Sequence, residues 1–388
     1  MRLLFATPYY YPEFKFGGPP RKIHALARGL TERGHQVRVL TFDFENRRSR
    51  EQTRIEGVEV QRLPWIGRGL KQMPLNLRSI GDAAANVDAV QCYGLYNLLS
   101  PIVAYIARRS GRPFLLEPLG MYPPRARNPF AKKAYNLLLT RWMMRHAAAV
   151  IAASESETAD LGAIADPKKI VYRRNGIDVA AFANLPSGKE LRQRWNVSTN
   201  EKVILYVGRI SPIKNLEQLI LAFAETNLPN LRLILVGPIL EPAYEARLRE
   251  LIATLHLEPR VLMAGPLYGE EHRAALTLAD LFILPSLNES FGNAAAEAVA
   301  AGIPVLLTET CGIAPIINGR AGLSIPLGVK SLASGLQTMI SDRTRRAQLV
   351  ARRAEVVREL SWDEPVRHTE ELYQLVIRRS KTDTKSAQ

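Results

Sequence analysis

The stretch LFILPSLNESFGNAAAEAVAAGIPVLL, residues 281–307, decides the fold. Leu281 to Leu284 is a short apolar run suited to a strand buried on both faces, and Pro304 to Leu307 is another. Between them lie a turn-rich loop, Pro285 to Asn293, and a helical segment, Ala294 to Gly302. Strand, helix and parallel strand in that order are the repeating unit of a sheet with helices on both faces. In such sheets the loop between strand and helix collects backbone N–H groups and the positive end of the helix dipole, so it binds anions. Gly292 lets the backbone approach a phosphate, and Ser290, Phe291 and Asn293 surround it. Glu297 follows about one turn into the helix. A carboxylate beside a pyrophosphate is repelled, so Glu297 is expected to accept the two hydroxyls of a ribose, and Glu289 those of a sugar across the same phosphates. Each also has an ordinary alternative, a helix cap at Glu289 and a solvated carboxylate at Glu297.

The same alternation extends outward in both directions. Lys202 to Gly208 reads as a strand, followed by a helix near Leu216 to Glu225, a strand Leu231 to Val236, a helix near Tyr244 to His256 and a strand Val261 to Ala264. The junction Gly208-Arg209-Ile210-Ser211-Pro212-Ile213-Lys214-Asn215 places two cations beside a helix start, suited to the charge that builds on a departing diphosphate. The first half repeats the pattern, with strands near Leu3 to Ala6, Val37 to Thr41, Val58 to Arg62, Asp88 to Val90, Pro113 to Leu116, Ala149 to Ala153 and Ile170 to Tyr172. A helix from about Arg21 to Arg33 stops at Gly34. Turn residues collect from Asn175 to Gly188, where the halves join. At 388 residues the chain exceeds what one hydrophobic core serves, which agrees with two domains.

Composition narrows the function. Hydrophobic residues at 47% and charged residues at 23% are ordinary globular usage and exclude a disordered chain. No apolar run reaches the roughly 18 residues a spanning helix needs, and the N-terminus reads as a strand rather than a signal peptide. Cys92 and Cys311 stand alone, with no disulfide framework or zinc spacing, so a cytoplasmic location is expected. Of the net charge of +15, residues 1–185 carry +13, from 28 Lys and Arg against 15 Asp and Glu. Clusters lie at Arg47-Arg48, Arg125/Arg127/Lys132/Lys133 and Arg141/Arg145. A one-sided positive field attracts polyanions, among them lipid headgroups and phosphorylated acceptors, although a solvated basic surface reads the same way.

The chain resembles the family-four retaining glycosyltransferases over nearly its whole length. Glu289-Ser-Phe-Gly-Asn-Ala-Ala-Ala-Glu297 matches that family's Glu-x7-Glu motif, and Ala301-Gly-Ile-Pro-Val305 matches its flank. Further matches are Gly17-Gly18, Gly34-His35, Asn175-Gly176-Ile177-Asp178, Gly208-Arg209 and Lys214-Asn215. The resemblance implies an α/β GT-B fold, two doubly wound Rossmann-like domains facing a central cleft. The expected domains are 1–180, which binds the acceptor and is completed by a C-terminal helix at 362–379, and 181–361, which binds the nucleotide sugar. It implies that Glu297 binds the ribose and Glu289 the transferred sugar. Arg209 and Lys214 would bind the diphosphate, Gly17 and Gly18 would touch it from the acceptor domain, and Pro266 and Leu267 would pack the base. Many relatives carry a histidine where this chain has Leu119, in Glu117-Pro118-Leu119-Gly120-Met121. Leu119 can neither hydrogen-bond a sugar nor move a proton, which leaves Glu117, Tyr93 and Tyr122 as acceptor-side candidates. Glu117 paired structurally with a basic neighbour is the alternative. His24 and His146 fall on helices and read as structural.

The expectation is a metal-independent, retaining hexosyltransferase that moves a sugar from a UDP- or GDP-sugar to a hydroxyl of a glycan or lipid-linked acceptor, in cell-surface polysaccharide or glycoconjugate synthesis. No Asp-x-Asp signature is present, so cationic side chains are expected to replace a metal, and no cofactor is expected. Departing diphosphate and attacking hydroxyl would share one face of the sugar, the phosphate taking the proton. Weak association with the inner face of an anionic membrane is expected, and nucleic acid is not an expected partner. Alternatives on the same architecture are a nucleotide-sugar epimerase and a catalytically silent glycan- or nucleic-acid-binding protein.

Overall fold

The computed structural model describes residues 1–13, 17–123, 129–226, 228–239 and 241–386. They form two compact units, Met1–Gly176 with Trp362–Gln388, and Ile177–Ser361. Arg125 and Arg127, singled out in the sequence, lie outside the described residues.

The first unit contains β1 (Arg2–Ala6), β2 (Gln36–Phe42), β3 (Gln52–Ile55), β4 (Val58–Leu63), β5 (Trp65–Ile66), β6 (Met73–Pro74), β7 (Ala89–Tyr93), β8 (Phe114–Glu117), β9 (Ala149–Ala152) and β10 (Ile170–Tyr172). Eight of them form one sheet in the order β10-β9-β8-β7-β1-β2-β4-β3, while β5 and β6 pair separately. Neighbours in the large sheet are parallel except β3, which runs antiparallel to β4 at the edge.

β1 shows why both faces are covered. Successive side chains of a strand alternate between faces. Leu3 and Phe5 enter a core with Ile23, Leu26 and Leu30 of the helix Gly18–Glu32 and with Val366, Tyr373 and Val376 of the helix Asp363–Ser386. Leu4 and Ala6, one residue out of phase, join Val103, Met143 and Met144 in a second core. The helix Gly18–Glu32 starts three residues before the sequence expectation because Pro19 and Pro20 fit its first turn, where a missing N–H costs nothing. It stops at Gly34 (φ +84°), where His35 N donates to Leu30 O and Gly34 N to Thr31 O. The C-terminal helix lies against it so closely that a Cβ on Gly29 would sit 2.6 Å from Val366 Cγ2.

The second unit contains β11 (Lys202–Val207), β12 (Leu231–Val236), β13 (Val261–Gly265), β14 (Leu281–Leu284), β15 (Val305–Thr308) and β16 (Gly322–Ile325). They form a parallel sheet in the order β13-β12-β11-β14-β15-β16. β14 and β15 are buried throughout, as their unbroken apolar runs require. The strand order reverses between β11 and β14, so the loops leaving these two strands part over a crevice at their C-terminal ends. Among the described residues, no helix is long and apolar enough to cross a membrane.

Candidate active site

The two loops at that reversal carry the cations and the carboxylate singled out in the sequence. After β11 the chain passes Gly208 and Arg209, then makes a short turn, Pro212–Lys214, and enters the helix Leu216–Glu225 through Asn215 in the left-handed region. Tyr206 is fully buried, and burial, with the nearby Glu289 carboxylate adding to it, pushes its phenol far up. It therefore stays a donor, and its Oη donates to Arg209 O at 2.9 Å, fixing the turn of the loop. The Arg209 side chain is exposed.

After β14 the loop is held by its neighbour rather than by itself. Ser286 O accepts from Thr308 Oγ1 at 2.7 Å and Thr310 Oγ1 at 2.5 Å. Glu289 N donates to Thr310 O, Gly312 N to Glu289 O, and Ile313 N to Phe291 O. Phe291 is buried beneath the loop. Gly292 caps the helix Asn293–Ala300 at φ +111°, and a Cβ there would stand 3.0 Å from Ile313 Cγ2. Only glycine meets both conditions without strain. No side chain caps this helix, so Glu289 is not the cap that the sequence allowed. Its carboxylate instead contacts Lys214 Nζ and ties the two loops together, with Leu287 N donating to Ile213 O beside it.

Glu297, one turn into the helix, accepts from or shares a proton with His272 Nε2 at 2.8 Å. Their side chains are 14% and 12% exposed. The solvated alternative for Glu297 therefore does not describe its surroundings. His272 lies on the helix Gly269–Leu276, which follows Pro266 and Leu267 after β13. Pro266 is exposed and Leu267 packs against the core. Sequence reading missed His272, because no motif links it to a residue twenty-five positions away. Ser290 and Asn293 are partly exposed, and the buried Asn293 Oδ1 has no hydrogen-bond partner in the structure. In the first unit, Gly17 and Gly18 lie at the start of the helix Gly18–Glu32, Gly17 at φ +80° with open space where a Cβ would be.

Two acceptor-side candidates are corrected. Glu117 and Tyr93 are both 0% exposed, so neither reaches a substrate in this arrangement. Glu117 lies between two cations, its Oε1 on Lys22 Nζ and its Oε2 accepting from Arg173 Nη2 at 2.7 Å. Burial pushes the Glu117 carboxyl up, and Arg173 and Lys22 more than reverse it, holding the group below the usual carboxylate range. This is the structural pairing that the sequence left open. Gln91 Nε2 donates to the same carboxylate at 2.9 Å, and Tyr373 of the C-terminal helix bonds to Gln91 Oε1. Tyr122 is partly exposed and keeps its place among the candidates. The loop bearing Leu119 (φ +61°) is fastened by Glu157, which accepts from Gly120 N at 2.6 Å and Ala153 N at 2.8 Å. His24 is structural as read, buried and bonded to Tyr10 Oη at 2.8 Å. His146 Nδ1 lies 2.9 Å from Trp142 O. Among the described residues, no group of three or more His, Cys, Asp or Glu side chains is placed to hold a metal ion.

Residues 187–356 match the family model described as Glycosyl transferases group 1, and residues 17–176 match a Glycosyl transferase 4-like domain. The chain is 32% identical to a D-inositol 3-phosphate glycosyltransferase of Kineococcus radiotolerans over 55% of its own length, a match that spans about half (53%) of that protein. An uncharacterized glycosyltransferase of Methanocaldococcus jannaschii is 26% identical over 97% of this chain and 99% of its own. Anabaena HepE, solved in complex with UDP, superposes with a TM-score of 0.77 at 22% identity, covering 96% of this chain and all of HepE (100%). The two sheets, the two loops at the strand reversal and the two family models that divide the chain between them lead to one assignment: the chain belongs to the group 1 glycosyltransferases and has the GT-B fold.

Proposed function

We propose that the protein transfers a hexose-type sugar from a UDP- or GDP-sugar to a hydroxyl of a glycan or lipid-linked acceptor, with retention at the anomeric carbon and without a metal ion. The observation that carries this reading is the convergence of Arg209, Lys214 and Glu289 on two adjoining loops where the sheet order reverses. The UDP and UDP-glucose bound to HepE support a nucleotide-sugar donor, and the name of the Kineococcus relative supports glycosyl transfer.

In this mechanism the bond from the sugar's anomeric carbon to the β-phosphate oxygen breaks, and charge grows on the departing diphosphate. Arg209, Lys214 and the backbone N–H groups at the start of the helix Asn293–Ala300 would stabilise that charge. Glu297, steadied by His272, accepts from the ribose hydroxyls, while Glu289 accepts from the transferred sugar and keeps its contact with Lys214. The acceptor oxygen attacks the face the diphosphate is leaving, and its proton passes to the phosphate oxygen. Such a step needs no strong protein base, in keeping with Leu119 and with the burial of Glu117 and Tyr93.

The test is thermal stabilisation across a panel of UDP- and GDP-sugars, followed by magnetic resonance of the product with the stabilising donor, with and without chelator. A product of inverted configuration would overturn retention. Turnover lost in chelator and restored by a divalent ion would overturn metal independence. An epimerised donor with no new glycoside would assign the epimerase chemistry instead.

A further inference from the structure

We propose that Lys22 is a positioning residue for sugar transfer: its buried ammonium sets two substrate-side segments of the first unit, the pair Gly17 and Gly18 and the loop 119–122, in the arrangement that turnover requires. The inference rests on the transfer reading given above. Lys22 lies four residues after Gly18 on the helix Gly18–Glu32, so it stands on the same face about one turn further in, and its side chain is 5% exposed. Its Nζ contacts Glu117 Oε1 at the end of β8, two residues before Leu119. It also feels the charge of Glu157, whose two oxygens accept from Gly120 N at 2.6 Å and Ala153 N at 2.8 Å. One ammonium thus meets a carboxylate at the root of the Leu119 loop and a second that fastens the loop itself. On the far side of Glu117, Arg173 ties the same point to the C-terminal helix, its Nη1 donating to Thr369 Oγ1 at 3.1 Å.

The energetics argue against a purely stabilising role. An ammonium taken out of water must recover its lost hydration from its partners. At Lys22 the recovery falls short: burial, with Arg173 adding to it, holds the amine below its ordinary pKa in spite of Glu117 and Glu157. The folded state therefore disfavours the charge on this side chain. Nor does Glu117 depend on it alone, since Arg173 Nη2 and Gln91 Nε2 both donate to Glu117 Oε2. What the ammonium supplies lies at Glu157. Burial pushes that carboxyl up, and the amides of Ala153 and Gly120 together with the Lys22 charge oppose the rise. An ionised carboxylate accepts from N–H groups more strongly than a neutral acid does, so Lys22 keeps the bonds to Gly120 and Ala153 strong. Stability is lost at the helix while order is gained at the loop, the trade expected where function rather than folding sets the residue.

The experiment compares the full parent chain with Lys22→Met in melting temperature, calorimetric titration of UDP and GDP, turnover at saturating donor, and amide hydrogen exchange. The variant should melt at or above the parent temperature and bind nucleotide like the parent, because in the proposed function the second unit holds the nucleotide. Its kcat should fall about tenfold or more, and its Gly120 amide should exchange about tenfold faster. Glu157→Gln, which leaves one oxygen for two amides, should reproduce the faster exchange and the slower turnover, and it keeps the proposal testable should the methionine variant not fold. Parental turnover in a folded Lys22→Met overturns the proposal. So does lost turnover with unchanged exchange at Gly120, or with a matching fall in melting temperature and nucleotide affinity, which marks a general structural role. The exchange measurement needs no substrate, so the two readings fail separately. A parent chain that makes no product with any donor sinks the transfer reading and this inference with it, whereas an active parent whose Gly120 amide exchanges as in Lys22→Met sinks the positioning role alone.

Discussion

Replacing Glu289 with Gln is expected to strengthen, not weaken, the binding of free nucleoside diphosphate while depressing turnover. The reason lies in the contact between Glu289 and Lys214, whose side chains are 22% and 12% exposed. While the carboxylate stands there, it cancels part of the ammonium's attraction for the diphosphate and adds its own repulsion. Two unit charges roughly 5 Å apart interact by about 0.8 kcal/mol at the dielectric of water and by about 3 kcal/mol at an effective value near 20. Partial exposure places this site toward the lower end. Removing the carboxylate charge should then gain about 1 kcal/mol, roughly a fivefold lower Kd. Turnover should fall by about 10²-fold, since the hydrogen bond to the transferred sugar is needed where charge develops. Lys214→Met should act in the opposite sense on binding, raising the nucleotide Kd by about tenfold. Calorimetric titration of UDP and GDP into both variants and the double variant, beside steady-state rates with intact donor, separates these effects. If Glu289→Gln weakens the free nucleotide as much as Lys214→Met does, Glu289 is a structural part of the phosphate loop and the division of labour is wrong.

Glu297→Gln should weaken free nucleotide and intact donor by similar factors, about tenfold, because a ribose contact is common to ground and transition states; His272→Leu should shift both in the same direction by less. Unequal losses between nucleotide and donor would move Glu297 off the ribose. Glu117→Gln leaves Lys22 and Arg173 buried without their counter-ion and should cost about 3–5 kcal/mol at neutral pH. Because the folded Glu117 carboxyl is held below its ordinary value of about 4.3, its contribution is complete above that pH and fades as pH falls through the folded value. The melting-temperature gap between parent and variant should therefore narrow below about pH 4, and a gap independent of pH would refute the ion triad. Gly29→Val should destabilise the first unit by about 1–3 kcal/mol, given 2.6 Å between its Cβ position and Val366 Cγ2, and Val366→Ala should restore part of the loss. No recovery in the double variant would mean that the clash lies elsewhere.

What could be read from the sequence was what local chemistry dictates. β12, β14 and the helix Leu216–Glu225 fall at the expected residues because each is an apolar run or period bounded by turn residues. β3 and β16 were not anticipated. Gln52–Ile55 is a polar edge strand with alternating exposure, and Gly322–Ile325 begins at a glycine and owes its register to β15. At the site, the Glu289–Glu297 string and the Arg209–Lys214 junction were legible because each occupies one loop. The partners were not. Lys214 with Glu289, His272 with Glu297, and Lys22 with Glu117 and Arg173 are joined only by the sheet, across separations that carry no sequence period. Glu117 illustrates the limit: a carboxylate at the end of a strand reads as chemistry until the two cations covering it are seen.

The C-terminal helix also sets the order in which the protein can be finished. Tyr373 and Val376 complete the core over Leu3 and Phe5, yet all of Ile177–Ser361 is synthesised between them. Those 185 residues take about 10–40 s to emerge at roughly 5–20 residues per second. For that interval the first sheet has one face partly uncovered on the ribosome, while the second unit already has every strand of its own. Nascent chains halted at Ser361 should therefore be cleaved by protease within the first unit and protected within the second, and release of the remaining residues should abolish the difference. Equal protection of both units before release would show that the sheet is stable without its last helix.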